Sequence, residues 1–144
     1  MSGVLFTQFV VSMIMLIVCV GIHGIGLFSL NRALRSEASL ERLRKVDPLS
    51  RHGAFFTLSI VLALVALHGF EIWLFALLYL AVGAVGNFEA ALYFSTISYS
   101  TVGYSDAHIA ADWRLTAAFE SILGVILLGW STAFFIRMLT RIDP

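Results

Sequence analysis

Three long apolar runs dominate the pattern of hydrophobic and polar positions along the chain. Residues 3–30 contain no Asp, Glu, Lys or Arg, residues 54–85 are interrupted by His68 and Glu71, and residues 115–138 form the third run. Because about 20 apolar residues in a helix cross the hydrocarbon core of a bilayer, each run predicts one transmembrane helix.

A shorter element lies between the second and third runs. Gly83 and Gly86 mark the end of the second run, and Asn87 is placed to cap a helix over 88–98 whose first turn contains Glu89. A helix of about 11 residues is too short to span a bilayer. We therefore expect a half-helix that enters the membrane and returns to the same side.

The stretch that follows, Ser-Thr-Val-Gly-Tyr-Ser-Asp over residues 100–106, is not predicted to be helical. Irregular backbone at membrane depth is tolerated only where protein surrounds it or where it lines an aqueous cavity, because unpaired amides in hydrocarbon cost several kcal/mol. We expect residues 101–105 to line such a cavity and residues 107–114 to return to solvent.

Charge is concentrated in the connector over residues 31–53, which holds six of the nine Lys and Arg residues. A short amphipathic helix beginning near Ser36 and ending before Pro48 is compatible with it. The connector could also be a solvated linker, or its basic residues could contact anionic lipid headgroups, and the sequence does not decide between these alternatives. The positive-inside rule places the connector and the C-terminus in the cytoplasm and the N-terminus outside.

Composition supports a membrane protein and excludes several other classes. The chain is 60% hydrophobic and 12% charged, with a mean hydropathy of +0.94. Its net charge of zero gives no reason to expect a nucleic-acid partner. The sequence shows no arrangement of a catalytic nucleophile, no phosphate-binding loop and no spacing of His, Cys, Asp or Glu that is typical of a metal site. We therefore expect that the protein is not an enzyme. The first run has no basic leader or cleavage site, which predicts a retained span.

Residues 100–106 resemble the pore signature of the tetrameric potassium channel family, whose filter loops carry TVGYG. With the extra first helix, Trp113-Arg114 and the Gly-Trp-Ser-Thr of 129–132, the chain resembles small bacterial three-helix members. The resemblance implies an all-α integral protein of the bacterial inner membrane, with three transmembrane helices, a re-entrant pore helix and a selectivity-filter loop. Residues 1–53 would be an added helix and connector, and residues 54–144 the pore domain.

The resemblance also implies roles for individual residues and a homotetramer that conducts K⁺ without a cofactor. Asp106 would stand at the outer mouth. Gly124 and Gly129 would be hinges or close-packing points, and Ser131 and Thr132 would face the central cavity. The residues expected to coordinate K⁺ are Thr101, Val102, Gly103, Tyr104 and Ser105.

Ser105 departs from the family pattern, which has glycine there. Serine is strained where φ is positive, so it costs about 1 kcal/mol or more there, or else adopts an allowed conformation or adds a hydroxyl ligand. Potassium selectivity, weak selectivity among monovalent cations and a non-conducting scaffold or accessory subunit are therefore all open.

Ionisable residues at membrane depth point to function. His68 and Glu71, three positions apart, are expected to support the filter from behind or to sense protons. Glu120 is expected to hydrogen-bond behind the filter, to Tyr99 or to Ser98. His23 in the first run is expected to lie too close to the cytoplasmic end to pair with Glu71.

Overall fold

The computed structural model describes residues 3–34, 51–103 and 105–140, and every regular element within these residues is helical. Three of the helices are long and apolar enough to cross a membrane. The elements are α1 (Gly3–Leu34), α2 (Arg51–Ala81), α3 (Phe88–Tyr99), a 3₁₀ turn (Ala111–Trp113) and α4 (Arg114–Leu139).

The end of α2 differs from the sequence expectation, since the helix stops at Ala81 although the apolar run continues to residue 85. The chain turns at Gly83, whose φ is +65°. Ala84 and Val85 are buried within this turn, at 4% and 5% exposure. The last apolar residues therefore pack as a turn, which hydropathy alone does not distinguish from helix.

The predicted cap of α3 is confirmed. Asn87 has an extended backbone, and its side-chain oxygen accepts a hydrogen bond from the Ala90 N–H at 2.9 Å. Glu89 lies in the first turn, where the helix dipole favours a carboxylate. The helix spans 12 residues, one more than expected. The possible helix between Ser36 and Pro48 lies outside the described residues.

Helices α1 and α4 run in the same direction, and polar contacts along their length join them. Gln8 Oε1 accepts from the Leu115 N–H at 3.1 Å, and the Ser12 hydroxyl donates to Thr116 Oγ1 at 3.2 Å. Gln8 thus satisfies one of the amides left unpaired at the start of α4. An odd number of full passages across the structure therefore lies between α1 and α4, and α2 is the long helix that provides it among the described residues.

Helix α3 runs back along α2 towards the middle of that helix. The Ser95 hydroxyl lies 2.9 Å from the Ile72 carbonyl oxygen, and Tyr99 reaches Glu71. Glu71 lies ten residues before the end of α2 at Ala81, ~15 Å at helical rise. The chain then returns, because the Ala110 N–H donates to the Ala84 carbonyl at 2.9 Å.

Two apolar clusters hold the helices together. The first joins α2, α3 and α4 around large side chains, with Cys19 contributed by α1; it includes Phe75, Tyr79, Phe94, Leu123 and Leu127. The second lies towards the other end of the long helices and contains Leu27, Ile60, Leu64 and Met138. The short helix is thus packed at one end of the bundle, above the second cluster.

Candidate functional site

The segment after α3 leaves helical geometry at once and remains exposed. Thr101 has φ +62° and Gly103 has φ +50°. The Thr101 N–H donates to the Ser98 carbonyl at 2.9 Å, and the Gly103 N–H donates to the Ile97 carbonyl at 3.0 Å. A left-handed residue after the last helical turn is usually glycine, so a β-branched threonine there costs about 1 kcal/mol or more. The last turn of α3 therefore holds the segment in a specific, strained shape.

Ser105 does not carry this strain. Among the described non-glycine residues, Thr101 alone has a positive φ. The Ser105 hydroxyl instead accepts a hydrogen bond from the Ala107 N–H at 3.1 Å. Serine can stand at position 105 because its backbone does not need the conformational freedom of glycine. Tyr104, the residue before it, lies outside the described residues.

Asp106 is exposed beside the segment and pairs with Arg114, whose Nε lies 3.1 Å from Asp106 Oδ2. Both side chains are more than half exposed, so the pair contributes at most ~1 kcal/mol to stability. The negative charge expected at the outer mouth is therefore partly balanced by a cation from the same chain.

Behind the segment, the buried carboxylate of Glu71 joins α3 to α1 and α2. The Tyr99 hydroxyl donates to Glu71 Oε2, and His23 Nδ1 lies 2.9 Å from Glu71 Oε1. His68 Nδ1 lies 2.8 Å from the Tyr99 hydroxyl and 3.4 Å from Glu71 Oε2. Glu71 and His23 have no exposed surface. Glu71 thus ties the end of α3 to α1 and α2, while support of a filter and proton sensing both stay predictions.

Ser131 of α4 closes the group into a ring. Its hydroxyl oxygen lies 3.0 Å from His68 Nε2 and 3.2 Å from His23 Nε2. Five side chains from all four α-helices are thus linked in a cycle of five hydrogen bonds. The cycle runs through Glu71, His23, Ser131, His68 and Tyr99.

The expectation that His23 lies too far from Glu71 is wrong. The prediction requires the ends of α1 and α2 on the connector side to be level, and they are not. His23 lies 11 residues from the end of α1 at Leu34, whereas Glu71 lies 20 residues from the start of α2 at Arg51. Since the two side chains nevertheless meet, α2 extends well beyond α1 on that side.

Three potential metal ligands also meet in this group. One nitrogen of His23, one nitrogen of His68 and one oxygen of Glu71 lie within 4.8 Å of one another, which the sequence spacing does not reveal because the residues come from two helices. The Ser131 hydroxyl lies between the two histidine rings, and the residue is 5% exposed at the edge of a groove between α2 and α4. The neighbouring Thr132 is exposed and bonds back to the Leu128 carbonyl at 2.8 Å.

A second buried carboxylate, Glu120 of α4, holds α3 from another side. Its partners are Ser95, at 2.5 Å, and the Tyr79 hydroxyl, which donates at 2.6 Å. The predicted partners, Ser98 and Tyr99, are wrong, because the residue of α3 that contacts Glu120 lies about one helical turn earlier. Glu120 thus contacts α3 at Ser95 and α2 at Tyr79.

Gly124 and Gly129 of α4 have different surroundings. A methyl group added at Gly124 would collide with the backbone carbonyl of Tyr99, whereas one added at Gly129 would meet nothing within 4 Å. Gly124 is therefore a close-packing point that lets α4 approach the end of α3. Nothing within the described chain restricts Gly129.

The sequence did contain a signal that α1 contributes a residue, His23, to this group of side chains. Helix α1 has a buried stripe at intervals of four and seven positions, which is one face of a helix: Gln8, Ser12, Cys19, His23 and Leu27. Polar residues aligned on one face of an otherwise apolar helix predict contact with protein rather than lipid. The stripe identifies the face of α1 but not the partner of each side chain.

Comparison with known proteins gives one family. Residues 60–141 match the profile of a family described as ion channel, which covers α4, the short helix and most of α2. No curated protein and no solved structure gave a significant match.

Proposed function

Because the chain belongs to the ion channel family, we propose that it forms a potassium-selective channel through which K⁺ crosses the membrane passively. The chain is a multi-pass membrane protein with three helices of spanning length among its described residues. Its proposed location is the bacterial inner membrane, with the connector and C-terminus cytoplasmic. The common direction of α1 and α4 agrees with an N-terminus outside.

The observation that carries this proposal is the path of the chain between α2 and α4. Helix α3 descends to the level of Glu71, and the chain returns to Ala84 before α4 begins. The irregular, exposed residues 101–103 therefore lie near the middle of the long helices rather than beyond their ends. This path supports a re-entrant pore helix followed by a filter.

In the proposed pore, backbone oxygens of residues 101–105 replace the hydration shell of K⁺. The Thr101 hydroxyl would contribute at the innermost site. The C-terminal end of α3, with its partial negative charge, would favour a cation at the inner side of the filter. Asp106 would set the potential at the outer mouth, moderated by Arg114.

A ring of such oxygens needs several chains, because each chain contains one such segment. We propose a homotetramer, with the exposed face of residues 101–103 towards the common axis. Apolar side chains on α4 are available for contact with other subunits or lipid, among them Ile122, Val125, Ile126 and Ile136.

Two buried carboxylates would keep the filter in place. Glu71 holds the last residue of α3, and Glu120 holds the same helix one turn earlier. Among the described residues, no buried side-chain nitrogen or oxygen lacks a hydrogen-bond partner. Satisfied polar networks of this kind fix one geometry and resist displacement of the helix that they hold.

Potassium efflux from vesicles containing the purified protein tests this function. The expected result is efflux from potassium-loaded vesicles that is lost in Gly103→Ala, because position 103 needs a positive φ. Gly86→Ala is the matched control, since a methyl group there meets nothing within 4 Å. A tetrameric mass for both variants would show that assembly is intact. Absence of efflux from assembled wild-type protein would favour the accessory-subunit alternative.

A further inference from the structure

Three potential metal ligands from two helices converge inside the bundle. One nitrogen of His23, one nitrogen of His68 and one carboxylate oxygen of Glu71 all lie within 4.8 Å of one another. The Nδ1 atoms of the two histidines lie 2.9 Å and 3.4 Å from the two Glu71 oxygens. Ligands at 2.0–2.2 Å from a tetrahedral ion are separated by about 3.4 Å. A small shift of the side chains would therefore bring all three into coordination.

The identity of the ligands indicates the class of ion. Two imidazoles and one carboxylate suit zinc and neighbouring divalent transition metals, whereas magnesium and calcium prefer sets made only of oxygen. The fourth position has an occupant at hand, because the Tyr99 hydroxyl contacts both Glu71 and His68. One negative charge from Glu71 would offset part of the charge of the ion.

Ser131 supplies the support that metal-bound histidines require. A histidine that coordinates through Nδ1 carries its proton on Nε2, and this N–H needs an acceptor. Both Nε2 atoms already face the Ser131 oxygen, at 3.0 Å and 3.2 Å, and a hydroxyl oxygen accepts two hydrogen bonds.

An open groove leads to this cluster from the face between α2 and α4. Its volume is about 220 Å³, and its polar lining comes from His68, Ser131 and Thr132 among apolar side chains such as Val65 and Phe135. The His68 side chain is 13% exposed, whereas those of His23 and Glu71 are fully buried. An ion arriving through the groove would meet His68 first.

We propose that His23, His68 and Glu71 bind one divalent transition-metal ion of the zinc class, with Ser131 orienting both histidines. The site is separate from the proposed potassium path through residues 101–105. A bound ion links α1 to α2 immediately behind Tyr99, the last residue of α3. The metal therefore stabilises the first helix against the pore domain.

Titration of the purified, chelator-treated full chain with Zn²⁺ in a calorimeter tests the proposal, with Co²⁺ as a spectroscopic substitute. The expected result is one ion per chain and a tetrahedral Co²⁺ spectrum. His23→Gln and His68→Gln lose both signals, while His108→Gln, a change at an exposed loop position, keeps them. Ser131→Ala leaves the ligands in place and weakens affinity by about 10- to 100-fold.

Two measurements separate a lost ligand from a lost fold. Zn²⁺ should raise the thermal unfolding midpoint of the wild type and of His108→Gln but not of the two ligand variants. His68→Cys keeps a donor atom and should bind Cd²⁺ in preference to Zn²⁺, because thiolate is a softer ligand. The proposal would be overturned if the wild type did not bind Zn²⁺ stoichiometrically, or if His23→Gln and His68→Gln bound it as tightly as the wild type does. Either result would count whatever the ion flux shows.

Discussion

The Tyr99 hydroxyl donates a hydrogen bond to the buried carboxylate of Glu71, which attaches the last residue of α3 to the middle of α2. The same hydroxyl lies 2.8 Å from His68 Nδ1. The strained residue Thr101 follows two positions later. A phenol therefore ties the end of α3, from which the exposed segment begins, to α2.

Replacing Tyr99 with Phe should destabilise the protein by about 1–3 kcal/mol, because a buried carboxylate oxygen loses a donor and His68 loses a partner. Tyr93→Phe is the matched control, since Tyr93 is 54% exposed. Thermal unfolding in detergent measures the difference. Equal unfolding midpoints for the two variants would show that the Tyr99 contact contributes nothing to stability.

Gly124→Ala should lower stability by about 1–3 kcal/mol or prevent assembly, because the added methyl group meets the Tyr99 backbone rather than a movable side chain. Gly129→Ala meets no such obstacle and should fold normally. Yield of assembled protein and the unfolding midpoint distinguish the two. If Gly129→Ala assembles but its open probability changes, Gly129 acts as a gating hinge, whereas a stable Gly124→Ala would contradict the packing role.

Much of the fold could be predicted from the pattern of the sequence. Long apolar runs define spanning helices because the bilayer fixes their length, and Asn87 predicted the start of α3 because its side chain can pair with an orphan amide. Hydropathy alone could not place the end of α2, since the apolar run continues through residues 82–85, although Gly83 within it does mark the turn. A buried turn and a buried helix can contain the same apolar residues, so composition does not distinguish them.

Glu120 offers a test of hydrogen-bond satisfaction. In Glu120→Gln, the amide NH₂ can donate to the Ser95 oxygen, and the amide oxygen can accept from the Tyr79 hydroxyl. The Ser95 hydroxyl can then donate to the Ile72 carbonyl. We expect this variant to remain folded. Glu120→Ala leaves the Tyr79 hydroxyl buried without an acceptor and creates a cavity, so it should cost at least ~2 kcal/mol.

The unfolding midpoints of both variants, compared with that of Asp112→Ala at an exposed position, measure this effect. Equal losses for Glu120→Gln and Glu120→Ala would indicate that the ionised carboxylate itself is required, rather than its hydrogen-bond pattern.

Ser105→Gly places glycine where the potassium channel signature that this segment resembles has it, and should leave the ion selectivity of the proposed channel unchanged. The reason is that Ser105 does not occupy a positive φ, so its side chain imposes no strain on the segment. Bi-ionic potentials in planar bilayers provide the comparison, with Ser121→Gly, at a half-buried position on α4, as a control for the loss of a hydroxyl elsewhere. A marked gain in potassium selectivity would show that Ser105 itself weakens selectivity in the proposed filter.

The chemistry of the site was harder to predict than the helices. His68 and Glu71 could be identified because charge at membrane depth is costly, and their proximity follows from helical spacing. The contribution of His23 could not be predicted, since it depends on how far α2 extends past α1. The partners of Glu120 were displaced by one turn for the same reason: sequence gives the face of a helix more securely than its depth.

The reversal potential of the purified protein in a planar bilayer, with potassium on one side and sodium on the other, tests the central claim most directly. We expect a value close to the potassium equilibrium potential, because the backbone of residues 101–105 is proposed to coordinate dehydrated K⁺. A value near zero would contradict potassium selectivity and indicate a pore that does not distinguish monovalent cations.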